Sequence, residues 1–379
     1  MNTASNTPNS VTTVITTPHR AAIDKITPYS PGKPIEEVAR ELGLEPSSIV
    51  KMASNENPLG PSPLAVEAMR AHLEDVRLYP ETDGYPLRVA LADALGVDRD
   101  EVTIGRGSDE VMHFLALAFL EEGDETIMGD PPFSMYEIST KLMGATPVKV
   151  PLKNFAHDLP AMADAITERT KFIFLANPHN PTGAVNTAAE VDAFLARVPE
   201  RVLVILDEAY FEYVTRDDYP DTLRYVREGR NVIVLRTFSK IYALAGLRVG
   251  YGICRRPEVL QAINQVREPF NTANLAQWAA IASLGDPEQI ARSVKVNEAG
   301  KTYLYGEFER MDLPCVPTQS NFILVDTRQN CREVFGKLLK QGVIVRTGDV
   351  FGYPTMIRVT IGNAEENARF IASLENALS

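Results

Sequence analysis

The sequence predicts an α/β protein: a large domain with a mostly parallel central sheet flanked by helices, joined to a smaller α+β domain. Three observations carry this. Between about residues 103 and 252, short apolar, β-branched runs alternate with longer helical patterns, the signature of βαβ units. Beyond about residue 285 the texture changes to a long helix, short strands and a final helix. The chain of 379 residues is long enough for two or three structural lobes.

Apolar runs at 102–104, 126–128, 172–175, 202–206 and 232–235 read as strands of the main sheet. The last two are apolar without alternation, as expected of strands covered on both faces. Residues 110–120 and 188–197 have the period of amphipathic helices between them. A long helical segment at 257–284 links the two domains. Helix 290–311, strands near 321–325, 343–346 and 357–360, and helix 364–378 make up the smaller one. Residues 1–18 are rich in Asn, Thr and Ser and lack both a basic start and a continuous apolar stretch. They read as a flexible arm rather than a secretory signal. The expected division is an arm at 1–25, an N-terminal segment at 26–60, a large domain at 61–284 and a small domain at 285–379.

Composition narrows the function. With 38 basic against 50 acidic residues the net charge is −12, which argues against non-specific nucleic-acid binding. No apolar run approaches the ~18–20 residues of a membrane span. The cysteines Cys254, Cys315 and Cys331 are odd in number and form no CxxC pair, so neither a disulfide framework nor a thiolate metal site is expected. Their scarcity suits a reducing cytoplasm. No histidine pair has HExxH spacing, and no metal is expected. Gly300, Lys301 and Thr302 look like the end of a P-loop, but the required earlier glycine falls at Lys295.

Ligands of open parallel sheets bind at the carboxyl ends of the strands, and here those ends carry unusual polar sets. The first run leads into Gly105, Arg106, Gly107, Ser108 and Asp109 ahead of a helix. A glycine turn at a helix N-terminus is a phosphate site; taken alone, a Ser/Asp helix cap explains it as well. The second leads into Asp130, two prolines and Phe133, which is suited to stack on a flat ring but alone is no more telling than a core aromatic. The third leads into NPHNPTG at 177–183, a rigid turn that presents the Asn180 amide. The fourth ends in Asp207, with Tyr210 close behind. A carboxylate after five apolar residues needs a partner, and a protonated pyridine nitrogen is one. The fifth leads into RTFSK at 236–240 and then to Arg248. An apolar setting lowers a lysine's pKa and frees its nucleophilic amine, while Ser239 and Arg248 suit a phosphate. A lone lysine is usually a solvated surface charge, but Lys240 converges with four other strand ends.

The strings PYSPG (28–32), SNENPLGPSP (54–63), RLYPETDG (77–84), RGSDE (106–110), NPHNPTG (177–183) and DEAY (207–210) belong together. So do RTFSK (236–240), LAGLRVGYG (244–252), SNFILV (320–325) and IRVTIG (357–362). The combination resembles the fold-type I, pyridoxal 5'-phosphate (PLP) enzymes of the class I and II aminotransferase superfamily. More narrowly, it resembles the histidinol-phosphate aminotransferase family, from about residue 26 to the end.

The resemblance implies that Lys240 holds PLP covalently and then moves the substrate's α-proton. It implies that Asp207 pairs with the ring nitrogen, that Asn180 and Tyr210 bind the ring oxygen, and that Phe133 stacks on the ring, where relatives often carry tyrosine. The phosphate is expected on the Gly107, Ser108 and Asp109 amides, with Ser239 and Arg248. Tyr79 is expected to reach that phosphate from a partner subunit, making the protein a homodimer with shared active sites. Tyr29, Asn55, Arg346 and Arg358 are the expected substrate residues, and two arginines suit a dianion better than a monoanion. A surface salt bridge is the plain alternative for Arg346. The implied reaction passes the amine of L-histidinol phosphate to 2-oxoglutarate. The rivals are an aromatic amino-acid aminotransferase and, in another reaction class, a PLP decarboxylase of a phosphorylated amino acid. A PLP-fold sensor in a transcription regulator is disfavoured, because the arm is too short for a winged helix.

Overall fold

Strands that are apolar on both faces need cover on both, and that requirement sets the architecture. The computed structural model describes residues 17–29 and 32–379. In chain order the strands are β1 Val50–Lys51, β2 Val102–Gly105, β3 Glu125–Asp130, β4 Thr146–Pro151, β5 Thr170–Ala176 and β6 Leu203–Asp207. They continue as β7 Val232–Thr237, β8 Gly250–Ile253, β9 Phe322–Asp326, β10 Val343–Ile344, β11 Arg346–Thr347 and β12 Met356–Thr360. The helices begin with α1 Ile35–Leu42, α2 Pro63–Ala71, α3 Tyr85–Leu95, α4 Ser108–Phe119, α5 Ser134–Leu142, α6 Leu159–Asp164 and α7 Ala188–Leu195. They end with α8 Thr222–Arg227, α9 Pro257–Val266, α10 Asn274–Leu284, α11 Pro287–Arg310, α12 Cys331–Lys340 and α13 Ala364–Leu378.

The large sheet runs β2-β8-β7-β6-β5-β3-β4. β8 is antiparallel to both its neighbours and every other pairing is parallel. Two apolar cores sandwich it. On β6, Val204 and Leu206 face one core while Leu203 and Ile205 face the other. That two-sided burial is why the run shows no alternation.

The sequence reading missed two of these strands. β4 is an edge strand with Pro147 and Pro151, residues that weaken a strand signal and that edges tolerate. β8 reads GYGI; a Cβ at Gly250 would lie 2.4 Å from the Ser108 amide nitrogen, so this close approach needs glycine. The expected long helix at 257–284 is two helices, α9 and α10. The break holds Pro269, which cannot continue a helix.

The C-terminal part is built on the antiparallel sheet β11-β12-β9, with α11, α12 and α13 packed around it. The N-terminal segment joins this part: β1 pairs with β10, and Val38, Ile49, Ala53 and Ile344 share a core. Of the arm expected at 1–25, residues 1–16 lie outside the described residues. Ala21–Lys25, expected to be flexible, instead form a 3-10 turn packed against α5. No helix among the described residues is long and apolar enough to cross a membrane.

Candidate active site

The parallel strands β2, β3, β5, β6 and β7 all deliver their carboxyl ends to one cavity of about 210 Å³. It is closed from the other side by residues of β11 and β12 and by the 53–55 turn. Every residue predicted for the site lines this cavity except Tyr79. Tyr79 is 82% exposed and stacks on Phe270, with ring centroids 4.7 Å apart.

Among the described residues, Lys240 is the only amine in the cavity lining. Its Nζ donates to the Ser54 carbonyl at 3.0 Å and lies 5.6 Å from the Tyr210 ring centre. Burial, and after it the Arg358 charge, lowers its pKa to about 8. The neutral, nucleophilic amine is therefore accessible near physiological pH.

Asp207 ends β6 and is buried. Its Oδ2 accepts the Tyr136 hydroxyl at 2.5 Å and its Oδ1 accepts the Ala209 N–H at 3.1 Å. Burial pushes the carboxyl up to about 6, against the Tyr136 hydrogen bond and with a further push from the Asp109 charge. Tyr210 Oη accepts the Asn55 amide at 2.9 Å and is 3.5 Å from Asn180 Nδ2. Burial raises the phenol to about 12.

Gly107 caps α4 with φ 81°, a left-handed geometry, and a Cβ there would sit 2.8 Å from Arg248 Nη2. Among the described residues no side chain caps α4, and Ser108 and Asp109 of its first turn line the cavity. Arg248 Nη2 donates to the Arg106 carbonyl at 3.1 Å, and its Nη1 is 3.5 Å from Ser239 Oγ. Helix amides, a hydroxyl and a guanidinium at one spot are a phosphate cradle. The lining thus offers a cradle, a buried carboxylate, an aromatic ring and an amine. That set fits a flat phosphorylated pyridine aldehyde such as PLP.

Arg358 and Arg346 form the opposite wall. They are cross-strand partners on β12 and β11. Like charges placed directly opposite repel, and among the described residues neither pairs with a carboxylate. The surface salt bridge considered for Arg346 is therefore not found. Arg358 is 7% exposed; its Nη1 donates to Asn180 Oδ1 at 2.6 Å, its Nη2 to the Ala53 carbonyl at 3.0 Å, and its Nε has no partner among the described residues. Burial, joined by the Arg346 charge against an opposing pull from Tyr210, holds its pKa below the usual arginine value. Asn55, expected at the substrate, spends its amide on Tyr210 and receives Asn321 on its carbonyl, so it ties the two walls together. Tyr29 is 53% exposed and also lines an outer vestibule of about 610 Å³ with Arg346 and Phe351. A separate hollow of about 600 Å³, by α6, α7 and residues 316–319, contains no predicted site residue.

Sequence reasoning missed Tyr136, Thr237 and Phe351. Thr237 Oγ1 receives the Ser239 amide at 3.1 Å and so shapes the turn before Lys240. Phe351 lies 5.5 Å from the Arg358 guanidinium and 5.9 Å from that of Arg346. Tyr136 follows Phe133 by three residues, where it reads as part of a helix's apolar face.

Known proteins give the same picture. The family model "Aminotransferase class I and II" matches residues 47–374. The chain is 54% identical over 361 residues to a histidinol-phosphate aminotransferase of Moorella thermoacetica, covering 95% of this chain and 93% of that one. It is 45% identical over 359 residues to the histidinol-phosphate aminotransferase of Caldicellulosiruptor saccharolyticus, covering 95% and 99%. The crystal structure of histidinol-phosphate aminotransferase from Sinorhizobium meliloti, in complex with pyridoxal 5'-phosphate, superposes with a TM-score of 0.87. That match has 27% identity and covers 97% of this chain and 98% of the other.

Proposed function

The chain belongs to the class I and II aminotransferase family, and on that premise we propose that it is a PLP-dependent transaminase moving the amine of L-histidinol phosphate to 2-oxoglutarate. The products are imidazole acetol phosphate and L-glutamate. The observation that carries the choice of substrate is the pair Arg346 and Arg358, two cations on one cavity wall, neither of them paired with a carboxylate among the described residues. A buried charge without a partner is costly. A phosphate dianion on the donor, and a carboxylate on the acceptor, would each offset that cost in turn.

In this reading Asp207 takes the cofactor's ring nitrogen, Tyr210 and Asn180 its ring oxygen, and Phe133 one ring face. The Gly107, Ser108 and Asp109 amides, Ser239 and Arg248 hold its phosphate. When bound, PLP supplies an electron sink for the bond broken at the donor carbon. Lys240 Nζ anchors the cofactor, then takes the proton from the donor's α-carbon and returns one to the product side. Arg358 and Arg346 fix the anionic end of each substrate, and Tyr29 and Phe351 keep water from that end.

We also propose that two copies pair in the cytoplasm, with Tyr79 of one serving the cradle of the other. Exposed apolar Leu73, Val76, Leu78, Tyr79 and Phe270 support pairing, and three free cysteines suit a reducing compartment. A monomer in sedimentation at micromolar concentration would refute it.

The activity is tested by mixing PLP-loaded protein with L-histidinol phosphate, without any keto acid, and following cofactor absorbance. Conversion to pyridoxamine phosphate is expected at far lower concentration than phenylalanine needs, and Lys240→Ala should abolish it. Conversion by phenylalanine alone transfers the assignment to aromatic amino acids. Release of carbon dioxide in place of amine transfer makes it a decarboxylase.

A further inference from the structure

We propose that Tyr136 is a positioning residue for Asp207: its hydroxyl fixes the carboxylate and keeps it ionised for the cofactor's ring nitrogen. The inference rests on Asp207 being the partner of that nitrogen.

Tyr136 lies in the first turn of α5, directly after the loop that carries Phe133. It is 2% exposed. Its ring stacks on Phe174 of β5 with centroids 4.6 Å apart and planes 6° from parallel. Phe133 abuts it edge-on at 5.5 Å. Held between two rings, the phenol has one place to put its oxygen, and that place is 2.5 Å from Asp207 Oδ2. The same short segment therefore supplies the aromatic ring that would face the cofactor and a clamp for the carboxylate that would meet its nitrogen.

Little else favours the charged carboxylate. The groups that face Asp207 are Tyr136 from α5, Asp109 from α4, and Glu208, the Ala209 amide and Tyr210 from its own loop. Glu208 is itself committed to Arg236. Burial, Asp109 and Glu208 favour the protonated acid, and Tyr136, ahead of the Ala209 amide, opposes them. Tyr136 cannot give up its proton instead, because burial and the adjacent Asp207 hold its pKa well above the ordinary tyrosine value. It is a fixed donor, and a hydrogen bond to the charged form stabilises that form.

The test is Tyr136→Phe, which keeps the ring between Phe174 and Phe133 and removes only the hydroxyl. In cofactor-free protein, the Asp207 carboxyl is titrated by carbon NMR, with Asp207→Asn as the assignment control. PLP affinity is measured by fluorescence titration, and thermal unfolding confirms the fold. The expected result is an Asp207 titration moved up by about one pH unit and PLP bound about tenfold more weakly. The acid limb of the transamination profile should move up with it. A merely structural tyrosine would leave the titration where it is, and an unmoved titration overturns the proposal whatever the affinity does. If Asp207→Asn itself binds PLP as tightly as the wild type, the assignment of Asp207 to the ring nitrogen is wrong and the role of Tyr136 falls with it.

Discussion

Arg236 and Arg358 are buried to nearly the same degree, 5% and 7% exposed, in opposite electrostatic settings. Arg236 sits over the Phe211 ring at 3.7 Å, and its Nε and Nη2 both lie 2.8 Å from Glu208 Oε2. Tyr219 donates to the other Glu208 oxygen at 3.0 Å, and Glu212 is a further acid within Coulombic reach. Burial works against the Arg236 charge, but Glu208, Tyr251 and Glu212 more than offset it and hold its pKa above the ordinary value. Arg358 has the same kind of aromatic neighbour, Phe322 at 5.2 Å, yet the residue opposite it across the strands is another arginine. Among the described residues, one region has a cation with two acids, and the other has two cations paired with none. A charge that the fold itself neutralises is architecture. A charge that the fold leaves open, at a cavity wall, is recognition.

The largest effect is expected where the fold has completed its pair. Arg236→Met keeps most of the side-chain volume and strands Glu208 in the interior. Removing one partner of a buried ion pair typically costs about 3–5 kcal/mol. Urea unfolding should show that loss in the variant. A loss under about 1 kcal/mol would mean that Arg236 is as unsettled as Arg358, and the contrast would collapse.

Arg358→Gln should behave in the opposite way. Unfolding free energy should change by less than about 1 kcal/mol, because the variant removes an uncompensated buried charge. Catalysis should carry the loss instead: kcat/KM for histidinol phosphate should fall about 100- to 1000-fold, the range for truncating one partner of a desolvated charge contact. Arg358→Lys should recover only part of it, since an ammonium lacks the planar fork. A variant that lost stability and kept kcat/KM would make Arg358 structural.

The two regions were also unequally legible in the sequence. The strand-end loops stood out because two-sided burial writes strands as unbroken apolar runs; Asp207 at the end of such a run needs a partner, and Lys240 converges with four other strand ends. That logic recovered the Lys240, Asp207 and Asn180 side of the cavity from residues alone. Arg346 and Arg358 came only through family resemblance. Nothing in their spacing says that β11 and β12 pair in the register that sets them face to face. Tyr136 was hidden for a related reason: in a helix, a buried tyrosine reads as part of the apolar face, and only the seating of α5 on Phe174 aims its hydroxyl. The Arg236–Glu208 pair escaped because each residue was read as part of a motif for the ligand beside it.

The smallest effect concerns the surplus acid beside Arg236. With Glu208 already on the guanidinium, burial raises the Glu212 carboxyl to about 7, against the pull of Arg236 and with a push from Glu208. Its unfolded value is about 4.3. Between those values the folded protein keeps a proton that the unfolded chain has lost, so stability falls as pH rises. The contribution is complete below the unfolded pKa and gone once the pH passes the folded one. Glu212→Gln removes the dependence. Variant and wild type should unfold alike near pH 4.5, and at pH 8 the variant should be more stable by roughly 2 kcal/mol. That is less than the full shift implies, because the residue is partly exposed. Parallel urea titrations of variant and wild type at the two pH values decide the point, and a Glu212→Gln curve that tracks the wild type would show that Arg236 already satisfies both acids.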